Sequence, residues 1–112
     1  MFAYTASMSS TSELCCAPIS TRPLSSDEAD KLAGVLKALA DPIRLQLVSL
    51  IASSGEECAC DLPEAVGKSQ PTVSHHLKLL VEAGIIHREQ RGKWAWFQID
   101  ADRLNQVCSI LC

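Results

Sequence analysis

Apolar residues recur at helical spacing from about residue 25 onward. Ser25 and Glu28 have the spacing of a capping box, in which two side chains satisfy backbone groups at the start of a helix. The apolar positions that follow lie three or four residues apart: Leu32, Val35, Leu36, Leu39 and Ala40. This pattern predicts a first helix over about residues 25–40.

Asp41-Pro42 predicts the start of a second helix, since Asp caps a helix well and Pro is tolerated at its first position. Apolar residues then occupy most of the helix circumference: Ile43, Leu45, Leu47, Val48, Leu50 and Ile51. We therefore expect this helix to be central and buried. Ser53-Ser54-Gly55 ends it.

Residues 61–83 are typical of a helix-turn-helix. Asp61 and Glu64 have capping spacing before a short helix, and Gly67 supplies the turn. A second helix follows, and its inward stripe comprises Val73, Leu77, Leu80 and Val81.

Two alternating runs around Arg91-Gly92-Lys93 predict a β-hairpin over residues 85–99 with a basic tip. Period two assigns Ala95, Phe97 and Ile99 to one face, and Trp94, Trp96 and Gln98 to the other. We interpret both tryptophans as packing residues at the base of the hairpin.

The last predicted helix, residues 102–112, carries a single apolar stripe: Leu104, Val107, Cys108 and Leu111. An apolar terminal helix on a small domain suggests a dimer interface. Residues 1–24 contain many Ser and Thr and no sustained period, which indicates a flexible arm carrying Cys15-Cys16. The expected fold is mainly α with a small β-hairpin, in one domain over residues 25–112.

Charge is unevenly distributed in this 112-residue chain, whose net charge is −3. Residues 66–98 contain five Lys and Arg residues and only two Glu residues, so this part is basic on an otherwise acidic chain. No apolar run approaches the roughly 18 residues needed to span a bilayer, and the N-terminus has no signal-peptide pattern. We therefore expect a cytoplasmic protein without a membrane partner.

Six cysteines form three close pairs, at 15/16, 58/60 and 108/112, which in a reducing compartment favours metal or redox chemistry. Cys58 and Cys60 point the same way in an extended segment but diverge by about 200° in a helix. A site at this pair therefore favours a non-helical start to the helix-turn-helix. Cys108 and Cys112 share a helix face, where plain packing is favoured over ligation of an ion.

Four motifs occur in an order that resembles the ArsR/SmtB family of metal- and metalloid-sensing winged-helix repressors. They are Leu39 to Leu45, Glu57 to Leu62, Ser69 to Leu77, and the hairpin around Gly92. The resemblance covers about residues 25–112. It implies a winged helix-turn-helix homodimer that leaves its operator DNA when a thiophilic ion binds.

The Cys58-x-Cys60 pair matches the inducer-binding motif of the arsenic-responsive members, and Cys15-Cys16 resembles an N-terminal pair seen in some of them. The resemblance thus implies As(III) or Sb(III) as inducer, with no organic cofactor. Since a soft trivalent ion takes three thiolates, the arm would complete the site as a lid. Zinc sensing through the last helix is disfavoured, because residues 102–112 contain no His.

The same resemblance makes the second helix of the motif the DNA reader. Its N-terminal polar residues suit phosphates and base edges: Ser69, Gln70, Thr72, Ser74 and His75. The basic residues expected to neutralise phosphates are Lys78, Arg88, Arg91 and Lys93. His76 borders the inward stripe and is interpreted as a packing residue, and His87 has no partner identifiable in the sequence.

Other functions fit parts of the sequence. The same fold could serve as a disulfide redox sensor, a cadmium or lead sensor, or a structural zinc domain. Cys16 to Arg22 also fits the Cys-x5-Arg loop of small phosphatases and arsenate reductases. That loop should follow a strand, contain Gly and open a helix, and here Pro23 stands where the helix should begin. We therefore expect no enzyme.

Overall fold

The computed structural model describes residues 22–111, with side chains described to residue 109. Cys15, Cys16 and Cys112 lie outside this part, as does most of the expected arm. The elements in chain order are α1 (Ser26–Leu39), α2 (Pro42–Ser54), β1 (Glu57–Cys58), α3 (Leu62–Val66), α4 (Gln70–Glu82), β2 (Ile86–Arg91), β3 (Trp94–Ile99) and α5 (Ala101–Leu111). The fold is mainly helical with a small sheet, as predicted.

Local capping chemistry explains where the first two helices begin. The Glu28 N–H donates to Ser25 Oγ at 3.1 Å, and the Ser25 N–H donates to Glu28 Oε1 at 2.9 Å, which completes the predicted capping box. Asp41 Oδ2 accepts from the N–H groups of Ile43 and Arg44 at 2.9 and 3.1 Å. The predicted Asp61 cap is wrong, because its backbone is already helical and its side chain makes no capping bond.

The core forms where α2 crosses α4 and the sheet. Leu47 and Ile51 of α2 are fully buried. Their buried partners come from five other elements and from the residue before β2: Leu32, Leu62, Val73, Leu77, Leu80, Ile85, Ile86 and Phe97. The expectation that α2 is buried most of the way round is wrong at Leu45, which is 52% exposed.

The sheet has three antiparallel strands in the order β1-β3-β2, whereas the sequence predicted only the β2–β3 hairpin. The added strand β1 pairs Glu57 with Phe97 and Cys58 with Trp96. Phe97 is buried, and Ala95 and Ile99, which period two assigns to the same face, pack against the core. Trp94 is 45% exposed beside the turn and not packed at the hairpin base, so that interpretation is wrong for this residue.

Helix α5 begins with a bond from the Arg103 N–H to Asp100 Oδ1 at 3.0 Å. Val107 is buried, but Cys108 is exposed within the described chain, so its predicted packing role is not met there. At the other end, Leu24 packs against the core and Arg22 pairs with Glu28 at 2.7 Å. Among residues 22–111 no helix is both long and apolar enough to cross a membrane.

Candidate nucleic-acid interface and thiol site

Helix α4 presents a polar, solvent-exposed face at its N-terminal end. Ser69 caps the helix: its Oγ accepts from the Thr72 N–H at 3.4 Å and donates to Thr72 Oγ1 at 2.9 Å. The predicted DNA-reading residues on this helix are all exposed: Gln70, Thr72, Ser74, His75 and Lys78. Meanwhile Val73, Leu77 and Leu80 hold the opposite face in the core.

A cleft of about 580 Å³ separates α4 from the hairpin. Gln70, Ser74 and Lys78 line one side, and Arg88 and Lys93 line the other. Three cations and one carboxylate, Glu82, thus line one concave surface, which leaves it net positive and suited to a phosphate backbone. Sequence reasoning did not assign Glu82, Gln90 or Trp94 to this surface. Strand alternation from Arg88 could have indicated Gln90, whereas Trp94 lies beside the turn and alternates with the opposite face.

Arg91 differs from the other predicted DNA-binding cations because carboxylates already surround it. Its guanidinium donates to Glu56 at 2.8 and 3.0 Å and to Glu89 at 2.8 Å, and it lies 4.9 Å from the Trp96 ring centre. These hydrogen bonds lower the pKa of both carboxyls and raise the pKa of Arg91. Gln98 Nε2 also donates to Glu56 and Glu89, each at 3.1 Å.

The reading helix is fastened to α2 through His76. Arg44 Nη1 lies 3.0 Å from His76 Nδ1, and Arg44 Nε donates to the Ala38 carbonyl at 2.6 Å. Since a guanidinium only donates, His76 Nδ1 must accept, which assigns the proton of the neutral ring to Nε2. His76 is therefore a satisfied packing histidine, as predicted, and Arg44 joins α1, α2 and α4.

His87 has a partner that the sequence does not identify. Its Nε2 lies 3.1 Å from Asp100 Oδ2, which links strand β2 to the start of α5. The two residues are thirteen positions apart and become neighbours only through the β2–β3 pairing, so no local pattern signals the contact.

The thiol pair stands where the sheet meets the helix-turn-helix. Cys58 lies in β1 and is 2% exposed, whereas Cys60 is exposed in the turn before α3. Their Cα atoms are 5.2 Å apart and their Sγ atoms are in direct contact, as in a disulfide. The backbone is non-helical, as predicted, but it is not extended: Ala59 and Cys60 lie in a turn, in which the Asp61 N–H donates to the Cys58 carbonyl at 3.0 Å and which brings the two sulfurs together.

The described chain supplies two thiols at this place and no complete ligand set. Within residues 22–111, no three His, Cys, Asp or Glu side chains converge as a metal site would require. A trivalent ion at Cys58 and Cys60 would thus need a ligand from outside this part of the chain. Cys15 and Cys16 remain the predicted source.

Sequence and fold comparisons agree on one group of proteins. A profile described as a bacterial regulatory protein of the arsR family matches residues 41–88. The chain is 35% identical over 85 residues to an uncharacterized HTH-type transcriptional regulator of Methanocaldococcus jannaschii, covering 76% of this chain and 96% of that protein. It is 40% identical over 77 residues to the arsenical resistance operon repressor of Staphylococcus xylosus, covering 69% and 73%.

The fold also resembles a homodimeric winged helix-turn-helix DNA-binding domain from Mycobacterium bovis. The TM-score is 0.64 at 27% identity, over 80% of this chain and 84% of that one. Both the helix-turn-helix and the thiol pair lie inside the segment that the profile matches. In this winged helix-turn-helix fold, α4 is therefore the second helix of the motif and the β2–β3 hairpin is the wing.

Proposed function

The chain belongs to the ArsR family of bacterial regulatory proteins, and we propose that it is an operator-bound repressor released by trivalent arsenic or antimony. The observation that carries the proposal is the convergence of the Cys58 and Cys60 sulfurs beside the first helix of the motif. Thiolates are the ligands that soft ions prefer. A relative named for arsenical resistance supports the same inducer class.

The inducer site comprises Cys58 and Cys60 with a third thiolate from Cys15 or Cys16. The absence of a third ligand among residues 22–111 supports a contribution from the arm. Arg22 and Leu24 hold the end of the arm against the body of the domain, through the ion pair with Glu28 and through core packing. The arm then acts as a lid that the inducer fastens.

The operator surface comprises the N-terminal end of α4 and the facing side of the hairpin. Exposed polar and cationic side chains on both sides of the cleft support contact with the DNA backbone and base edges. The protein acts as a homodimer, because two reading helices about 34 Å apart match successive major grooves. The homodimeric neighbour of the same fold supports that assembly.

Release follows from differential binding of the inducer to two conformations. To take an operator from nearly full to nearly empty, the ion must favour the non-binding form by about 5.5 kcal/mol. The ion binds the reduced pair, whose sulfurs are not bonded to each other, and ligation then moves both thiolates into positions around the ion. That movement occurs in the turn that leads directly into α3.

The test is operator release in fully reducing buffer, followed by fluorescence anisotropy. Arsenite, antimonite, cadmium, lead and zinc are titrated against the parent and against Cys58→Ser and Cys60→Ser, with Cys108→Ser as the matched control. We expect release by arsenite and antimonite for the parent and the control, and loss of release in both site variants. Site variants that respond like the parent would overturn the proposal.

A second candidate, a disulfide redox sensor, is favoured by the contact between the two sulfurs. Oxidation of the dithiol to a disulfide by a peroxide, which is reduced to water or alcohol, would hold the pair closed. Peroxide that releases the operator without any metalloid would support this candidate. Arsenite release under full reduction supports the metalloid proposal instead.

A further inference from the structure

The strand that carries Cys58 belongs to the same sheet as the hairpin. Cys58 is paired with Trp96 across β1 and β3, and the Ala59 N–H donates to the Ala95 carbonyl at 2.8 Å. Ala59 lies between the two thiols, so a movement of either thiolate on ligation acts on a residue bonded directly to β3. The thiol pair is therefore bonded through the backbone to β3 of the hairpin, and it also leads directly into α3.

Side chains reinforce this attachment on the outer face of the sheet. Glu56, two residues before Cys58, receives both hydrogen bonds of a bidentate pair from Arg91 at the end of β2. Gln98 of β3 and Glu89 of β2 join the same group, and Trp96 of β3 lies under the guanidinium. The network thus joins β2 and β3 to Glu56, the residue that precedes β1.

A single exposed ion pair contributes little to stability, because solvent screens it and the side chains lose entropy. This network differs because Arg91 is held by two carboxylates and an aromatic face at once. Bidentate Arg–carboxylate pairs also define an orientation, which an isolated charge contact does not. The network around Arg91 is therefore better suited to transmitting a displacement between strands than to stabilising the fold.

Resting on the function proposed above, we propose that the Glu56–Arg91 network transmits inducer binding at the thiol pair to the hairpin. Inducer ligation displaces β1, and the network makes β2 and β3 follow. Arg88 and Lys93, which line the cleft from the hairpin, then move relative to α4. Arg91 is accordingly a positioning residue and not a phosphate contact, and Glu56 is its essential partner.

The test is the ratio of operator dissociation constants measured with and without saturating arsenite. Glu56→Gln removes the carboxylate that joins β1 to Arg91 and touches neither the thiols nor the cleft. Glu64→Gln is the matched control, because it makes the same charge change on an exposed residue of α3 with no side-chain partner among residues 22–111. Allosteric coupling in proteins amounts to about 5–150-fold.

We expect Glu56→Gln to lower this ratio by at least about fivefold, with arsenite stoichiometry unchanged, whereas Glu64→Gln keeps the parent ratio. If arsenite releases the parent protein from the operator and Glu56→Gln has the same ratio as the parent, the proposal about the network is overturned and the proposed function is not. A parent that arsenite does not release would instead contradict the function on which it rests.

Trp96 offers a second readout on the protein without DNA. The chain has two tryptophans, so Trp94→Phe leaves Trp96 as the sole reporter, stacked on Arg91. Arsenite should change its emission in Trp94→Phe, and Glu56→Gln in the same background should reduce that change severalfold. Emission that arsenite leaves unaltered in Trp94→Phe would contradict transmission through the hairpin.

Discussion

Ser69 and Ser74 lie five positions apart at the start of the reading helix, and their hydroxyls have different partners. Ser69 Oγ caps α4 and is bonded to Thr72. Ser74 is exposed on the wall of the cleft. Residues of one type, both predicted to contact DNA, therefore have separable roles.

This difference gives a first prediction. Ser69→Ala should lower the free energy of unfolding by about 1 kcal/mol, as loss of a cap does. Ser74→Ala should leave it within about 0.5 kcal/mol and weaken operator binding by about fivefold, the effect of one lost hydrogen bond. Urea denaturation and anisotropy measure the two effects, and equal stability losses in both variants would contradict the assignment.

Glu28 gives a pH-dependent prediction. Hydrogen bonds from Arg22, then from the Ser25 N–H, lower the pKa of Glu28 from its usual 4.5 to about 2. Because the folded-state pKa is depressed, the stabilisation is present above about pH 4.5 and is lost as the pH falls toward 2. Glu28→Gln should therefore flatten the acid limb of stability in this window, as followed by urea midpoints. An acid limb as steep as the parent's would contradict the assignment.

At the scale of elements, structure that depends on local sequence was predictable and structure that depends on pairing was not. The capping box, the Asp41-Pro42 start and the turn at Gly67 follow from residues within four positions of each other. Strand β1 has two residues, too few for a period to show. Its pairing with β3 joins positions about forty residues apart, which no local pattern reveals.

The candidate site divides in the same way. The turn that joins Cys58 to Cys60 was not expected, but its non-helical backbone could be predicted, because a helix would point the two thiols about 200° apart. The capture of Arg91 by Glu56 could not, since the two residues are 35 positions apart. A basic residue at a hairpin tip is ordinarily expected to bind phosphate, and here acidic side chains of the sheet hold it.

The turn of the helix-turn-helix supports a prediction with an internal control. Gly67 has φ +68, and a Cβ there would meet nothing within 4 Å, so Gly67→Ala should be destabilising through backbone strain alone, by about 1 kcal/mol. Gly34 lies within α1, and a Cβ there would also meet nothing within 4 Å, so Gly34→Ala should stabilise the protein by about 0.5–1 kcal/mol. Thermal and urea unfolding distinguish the two, and effects of the same sign would contradict the analysis.

At the scale of the whole molecule, the proposed homodimer requires a contact surface, and the exposed side chain of Leu36 beside a groove between α1 and α5 is the candidate. A groove of about 200 Å³ between α1 and α5 is lined by the buried Leu32, Val35 and Val107 and by five polar or charged residues, and Leu36 of α1 is 37% exposed. Helix α5 was predicted from sequence as the dimerisation helix. The proposed dimer uses both helices, which leaves α4 free to face DNA.

Leu36→Asp should therefore dissociate the dimer at micromolar concentration, because it introduces a charge into the apolar contact. Operator affinity should fall by at least about 100-fold as the second reading helix is lost. Leu45→Asp is the control, since Leu45 is exposed on α2, away from the groove. Sedimentation velocity gives the masses, and a dimer that survives Leu36→Asp but not Leu45→Asp would assign the interface elsewhere.

In the proposed function, Cys58 and Cys60 both ligate the inducer. The most direct measurement is the arsenic X-ray absorption spectrum of the reduced, arsenite-loaded protein, which counts sulfur neighbours around the ion. We expect three sulfurs in the parent and in Cys108→Ser, and fewer in Cys58→Ser and in Cys60→Ser. A sulfur count that both of these substitutions leave unchanged would contradict this ligation.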